Sequence, residues 1–300
     1  MPTHPHSLRT AAFAAFAAFA AASLTACGGG GGGDAVATPG NPSTPSPAPS
    51  PSPAPAPSPT PAPSPSPSPA PSPAPSPAPS PAPAAGSSAD CYNAADYNEG
   101  TEVVEEGITK MEGQPDLATV STRTTGARQD FAGAKPVMFI PRSTGSVGEN
   151  REFRDLVNGR ELAYGVVSDT STQVLTQVYD PPVSTPLDMQ PGQTVNRDHS
   201  TQTTVTPKNG TASSSFKEAV TDQFTYTGRE TLQTPMGALN VCKFNNDVTS
   251  VGSLGNAVSN FQLWVVADGP YRGRTVKIAT SSSNGKPSTY EVTRITYTPK

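Results

Sequence analysis

The sequence predicts a mainly β head domain, an antiparallel sheet that is curved or closed, behind a cleaved export signal and a disordered polyproline linker. Three observations carry this reading. An uncharged Ala/Phe run opens the chain, proline then alternates with Ala and Ser from Pro39 to Ala85, and period-two stretches with short turn signals fill Gly86 to Lys300. Four segments follow: a signal peptide at 1–26, a lipidated cysteine with a glycine swivel at 27–38, a Pro/Ala/Ser-rich linker at 39–85, and a β-rich globular domain at 86–300.

The first segment carries Arg9 as its only full charge, then "AAFAAFAAFAAASL" from Ala11 to Leu24. That run is shorter than the roughly 20 helical residues needed to cross a bilayer. It suits the apolar region of a secretory signal, with a basic residue before it and small residues after it. Phe13, Phe16 and Phe19 are spaced like one face of a helix. The opposite face is alanine, so the segment has no polar side to lie on a membrane surface.

The residues that follow, Leu24, Thr25, Ala26 and Cys27, resemble the lipobox of bacterial lipoproteins. The resemblance implies that the Cys27 thiol receives a diacylglycerol and that a peptidase cuts just before it. Two acyl chains hold a protein stably, at about 0.8 kcal/mol per buried methylene. In that family an aspartate after the cysteine commonly retains the protein at the inner membrane. Gly28 stands there, so the resemblance implies the outer membrane. The glycines from Gly28 to Gly33 form a swivel.

The linker holds most of the 36 prolines and has no charge and no aromatic residue. It cannot bury enough apolar surface to offset its ordering entropy. Proline at every second position also removes backbone donors, which excludes helix and sheet. A polyproline II spacer remains, with a reach of up to about 145 Å at roughly 3.1 Å per residue. Such a length suits a spacer that crosses a cell-wall layer. Its monotony and the lack of a flanking Lys or Arg argue against a docking ligand.

In the head, Phe261, Leu263 and Val265 of "FQLWVV" share one face, and Gln262, Trp264 and Val266 the other. "TVKIAT", "YEVTRITYT" and "STQVLTQVY" alternate in the same way. Asn209-Gly210 and Asn284-Gly285 are type I′ hairpin signals. "NREFRDLV" from Asn150, and a turn or two after Ser250, read as the few helical candidates. Cys91 and Cys242 are the only cysteines of the head, and an oxidising compartment favours pairing them. Two free thiols or a metal pair are the alternatives, and metal lacks further ligands with His199 the single histidine after the signal.

"YTGRETLQTPMGALNVCKF" (Tyr226 to Phe244), "LWVVADGPYRGRTVKI" and "PLDMQPGQTV" resemble a recurring pattern of uncharacterised proteobacterial periplasmic proteins and lipoproteins. Some of these resemble the half-barrel carriers LolA and LolB. The resemblance implies a half-barrel whose concave face holds an acyl chain or another apolar ligand. It supplies no binding residues, so Phe224, Tyr226 and Trp264 are named from the sequence as the candidate apolar pocket. Each of the three also suits a plain core position.

Catalytic signals are thin. His199 lies in the polar stretch "NRDHSTQT", no Gly-x-Ser-x-Gly elbow appears, and "GSVGEN" and "GSLGNA" lack the Lys-Ser/Thr of a phosphate loop. Glu102, Glu105 and Glu106 read as a solvated acidic edge. With a net charge of −4 and no basic stripe, nucleic acid is not an expected partner. The expectation is a lipid-anchored, non-catalytic envelope module without metal or cofactor. Its partner is the membrane and an apolar or envelope ligand. The alternative is an interaction protein contacting another envelope protein or peptidoglycan. Cys27→Ser is expected to leave the chain uncut and unlabelled by a radioactive fatty acid; label on the serine variant would refute the anchor.

Overall fold

The computed structural model describes residues 86–300 apart from 253, 254 and 284. The signal, Cys27, the swivel, the linker and Asn284 lie outside the described residues. The strands are β1 (Glu102–Met111), β2 (Leu117–Arg128), β3 (Val137–Ser143), β4 (Glu149–Val157), β5 (Arg160–Asp169) and β6 (Gln173–Pro186). They continue with β7 (Thr194–Asn196), β8 (His199–Pro207), β9 (Ser214–Thr234), β10 (Gly237–Gly252), β11 (Gly255–Val266), β12 (Thr275–Ser282) and β13 (Gly285–Thr298).

Every pairing is antiparallel, and the sheet closes on itself. The order runs β10-β11-β12-β13-β1-β2-β3-β4-β5-β6-β8-β9, and β9 pairs back onto β10. Twelve strands therefore form a closed barrel. Short β7 pairs with β9 at Val195↔Phe224, extending the place of β8 beyond Arg197 and Asp198. The curved sheet expected from the sequence is present, and it goes past a half-barrel to full closure. The closing ladder joins the first strand to the last, from Glu102↔Thr298 to Met111↔Ser288. Closure leaves little open sheet edge, the thinnest seam being β3–β4, paired only from Val137↔Arg154 to Phe139↔Glu152.

The two helical candidates are strands. Asn150 to Val157 is most of β4, and the residues after Ser250 finish β10 at Gly252. The reason for the first is a third Asn-Gly pair. Asn158 (φ 51°) and Gly159 (φ 72°) form a two-residue turn between Val157 and Arg160, and positive φ at both positions is what a type I′ hairpin requires. By contrast, Asn209-Gly210 sits in a longer connection. There only Gly210 has positive φ, and the Asn209 side chain accepts from the Thr211 amide at 3.1 Å.

One end of the barrel is closed by the segment before β1. It makes two 3-10 turns, Ser88–Cys91 and Ala94–Tyr97, each capped by a side chain from Ser87 or Asn93. This plug bonds to strands around the ring. Ser88 exchanges hydrogen bonds with Leu187 and Met189. The Tyr226 hydroxyl donates to the Gly86 carbonyl at 2.8 Å, and Arg229 pairs with Asp90. Tyr297 donates to Asp96 at 3.0 Å, and Tyr97 donates to Glu161 at 2.6 Å. A bulge at Thr227 in β9, opposite the step from Lys243 to Phe244, turns Tyr226 and Arg229 to the same side.

Cys91 and Cys242 form a disulfide with a Cα–Cα distance of 6.2 Å, joining the plug to β10. It lies in an apolar cluster with Met189, Phe224, Tyr226, Phe244 and Leu263. A second cluster gathers Val103, Val241, Trp264, Val266, Val276 and Val292. A third packs Met138, Phe153 and Val167, with the Phe131 ring stacked on Phe153 at 4.0 Å. Every strand pairing, the disulfide and all three clusters fall within 86–300, so this span carries a complete core. The bridge closes a loop with a sequence separation of 151. Cys91→Ala/Cys242→Ala should lower unfolding free energy in denaturant by up to about 5 kcal/mol, the chain-entropy value for such a loop. A loss below about 1 kcal/mol would show that the bridge constrains nothing.

Candidate functional site

The barrel lumen encloses a cavity of about 280 Å³. Its floor is the plug, through Cys91, Tyr92, Asn93, Asp96 and Tyr97. Its walls differ in character. From β9 through β13 run Phe224, Phe244, Phe261, Leu263, Val265, Ile278 and Tyr290, a continuous apolar and aromatic face. Phe224 and Phe244 are stacked with centroids 5.1 Å apart. Gly107 of β1 leaves room for Tyr290: a Cβ there would fall 2.4 Å from the tyrosine ring.

The other wall is charged. Glu105 (β1), Arg123 (β2), Glu152 and Arg154 (β4), Glu161 (β5), Arg197, His199 (β8) and Asp222 (β9) line it, joined near the plug by Arg274. Most of these charges are matched in place. Arg154 contacts Glu152 at 2.6 Å and Glu161 at 3.5 Å. Arg197 makes a bidentate pair with Asp222 at 2.8 and 3.0 Å, and its guanidinium lies 4.1 Å over the Phe224 ring. Arg274, 1% exposed in its side chain, pairs with Asp96, which Arg123 also approaches at 3.9 Å. A buried charge needs such a partner, because an uncompensated one costs several kcal/mol.

His199 is buried among these groups. Its Nδ1 lies 2.9 Å from the Arg197 carbonyl oxygen, which can only accept, so Nδ1 carries the proton. Its ring meets that of Tyr179 edge-on at 5.3 Å. Burial holds the imidazole below its ordinary value, against the upward pull of the Arg197 carbonyl and of Asp222. A Ser-His-Asp triad needs Nδ1–H on a carboxylate, and here it meets a backbone carbonyl. Burial, and then Glu105, push the Tyr290 hydroxyl up to about 12. Among the described residues no group of three or more His, Cys, Asp or Glu could hold a metal ion.

The structure separates the three pocket candidates. Phe224 lines the cavity. Tyr226 is fully buried beside the disulfide, with its hydroxyl committed to Gly86. Trp264 lies in the second apolar cluster, donates to Glu230 at 2.5 Å, and has the Lys243 and Lys277 ammonium groups over its ring at 5.1 and 5.4 Å. The sequence reading missed Arg123, Glu152, Arg154, Glu161, Arg197, Asp222 and Arg274. The available signal was a charge at alternate positions of otherwise strand-like stretches, as in Glu152-Phe153-Arg154. Glu105, read as part of a solvated edge, faces the lumen.

No protein family matches the sequence, and no curated protein matches it. Two solved structures are similar to it at low identity. An exported protein, provisionally so named, of YmcC-like fold from Bacteroides fragilis is 12% identical, with a TM-score of 0.43 over 71% of this chain and 100% of its own. A provisionally named lipoprotein from Parabacteroides distasonis is 9% identical, with a TM-score of 0.36 over 67% and 96%.

His199 is the single histidine among the described residues, so its titration can be isolated. A histidine held below its unfolded value takes up its proton more readily when unfolded, so acidification destabilises the fold. Wild type should lose more stability than His199→Gln between about pH 7 and pH 5, either side of the ordinary histidine value near 6.5. Parallel stability curves for the two proteins would refute the assigned burial.

Proposed function

We propose that the chain is a lipoprotein anchored at the outer membrane through Cys27, whose barrel head holds an apolar or amphipathic envelope ligand without catalysing a reaction. The observation that supports this most directly is the two-sided lumen, one wall aromatic and the other charged, around a cavity of about 280 Å³. Ligand sites of this kind are concave, mainly apolar and equipped with a few placed polar groups. The space accommodates a small apolar or amphipathic body. The resemblance to LolA and LolB implies a ligand of the same apolar class.

The outer face supports a head exposed to water. Arg294 and Glu106 pair at 3.0 Å with 68% and 39% side-chain exposure, and Lys277 lies opposite Glu291. A membrane-spanning barrel puts an apolar band there, and a lysine or arginine at its midplane costs about 2–4 kcal/mol. The lipid on Cys27 would supply the attachment instead, with the linker as spacer.

A second reading, an interaction module of the envelope, rests on a different feature. The large exposed apolar side chains Leu117, Val120, Val147, Val251 and Val258 lie at or near the barrel end away from the plug. The two readings separate by mass spectrometry of the protein isolated from its envelope without denaturation. The ligand reading expects a bound small molecule, released on unfolding and lost in Phe244→Arg, which fills the lumen. Recovery of an empty barrel together with a stoichiometric protein partner would favour the interaction module.

A further inference from the structure

We propose that the lumen takes a ligand bearing an ammonium group, and that Glu105 is the residue that receives it. This deepens the binding function proposed above and rests on it. Glu105 alone among the five lumen carboxylates has neither a hydrogen bond nor an ion pair among the described residues. Asp96 is held by Arg274 and Tyr297, Glu152 by Arg154, Glu161 by Arg154 and Tyr97, and Asp222 by Arg197. No lumen arginine is left over for an anion: Arg154, Arg197 and Arg274 sit on carboxylates, and Arg123 lies between Asp96 and the Phe139 ring, 5.5 Å from its centroid. Five carboxylates against four guanidinium groups leave the lumen one negative charge in excess.

The position of Glu105 sets the ligand's shape. It stands on β1 where the charged wall meets the aromatic one, opposite Ile295 of β13 and Ser121 of β2. Tyr290 and Ile278 lie on the strands that continue the apolar side. An apolar body along Phe244, Leu263 and Ile278 thus ends at a carboxylate beside an aromatic ring. A carboxylate with aromatic faces nearby suits ammonium, and quaternary ammonium most of all, through cation–π attraction. Burial raises the Glu105 carboxyl's affinity for its proton, against the pull of Arg123. A ligand cation would relieve the same desolvation. Arg123, two residues along β2 from Ser121, works against that cation.

The test uses the 86–300 span, which carries a complete core, with three probes of one chain length: decyltrimethylammonium, decyl sulfate and decanol. Affinities are measured by calorimetry below micelle-forming concentrations, with circular dichroism as a check on folding. The ammonium probe should bind at least tenfold more tightly than the other two. Glu105→Gln should abolish that preference and leave decanol within about twofold, one tenfold step being about 1.4 kcal/mol. Arg123→Gln should strengthen ammonium binding. If the three probes bind equally, or the preference survives in Glu105→Gln, the assignment to Glu105 is overturned while the apolar cavity stands. If none binds, the cavity reading fails and this assignment falls with it.

Discussion

Closing twelve strands into one ring dictates most of what the interior must do. A barrel of about eight strands is just filled by its own side chains, and larger rings enclose space that must be plugged, wetted or occupied. Here the ring is completed by the ladder between β1 and β13, so the first and last strands are structurally inseparable. The space that results is divided three ways. The segment from Gly86 to Thr101 blocks one end, charged side chains fill part of the remainder in pairs, and about 280 Å³ stays open.

The charges inside are a consequence of that geometry rather than a source of stability. Moving paired ions from water into a protein interior gains little net energy, whereas deleting one partner leaves the other stranded. A lumen built only of apolar side chains would have collapsed toward a narrower shape or bound apolar molecules without discrimination. The pairs Arg154–Glu152 and Arg197–Asp222 hold the wall apart and give it a fixed electrostatic pattern. Against that pattern a single unmatched carboxylate becomes informative, because the neighbouring strands show how the chain treats acids it needs to neutralise.

The β class and the disulfide were legible in the sequence because they depend on local alternation and on cysteine scarcity. The lumen was not, and Asn150 to Val157 shows why. Strand rules expect apolar residues inside and polar ones outside, but β4 sends Glu152 and Arg154 to the lumen and packs Phe153 against Phe131 on its other face. The alternation was present with its polarity inverted, and eight residues of mixed charge looked helical. Trp264 misled in the opposite sense. Its neighbours along β11 mark it as opposite in face to Leu263, and it is buried there in a cluster that Leu232, Met236 and Leu239 of the β9–β10 hairpin pack against, an arrangement no local pattern encodes.

The same architecture implies where the barrel opens most easily. The plugged end is stitched to β5, β9, β10 and β13 by side-chain bonds from Tyr97, Asp90, Cys91 and Asp96, and it is held by a covalent bridge in an apolar cluster. Lifting the plug would break these together, which places it at the high end of local opening energies. At the opposite end the strands are joined by short exposed connections, and Val147, Val251 and Val258 stand in solvent there. Small separations at that rim cost few contacts. Under the proposed binding function, exchange with the lumen would run through this rim, past the exposed valines.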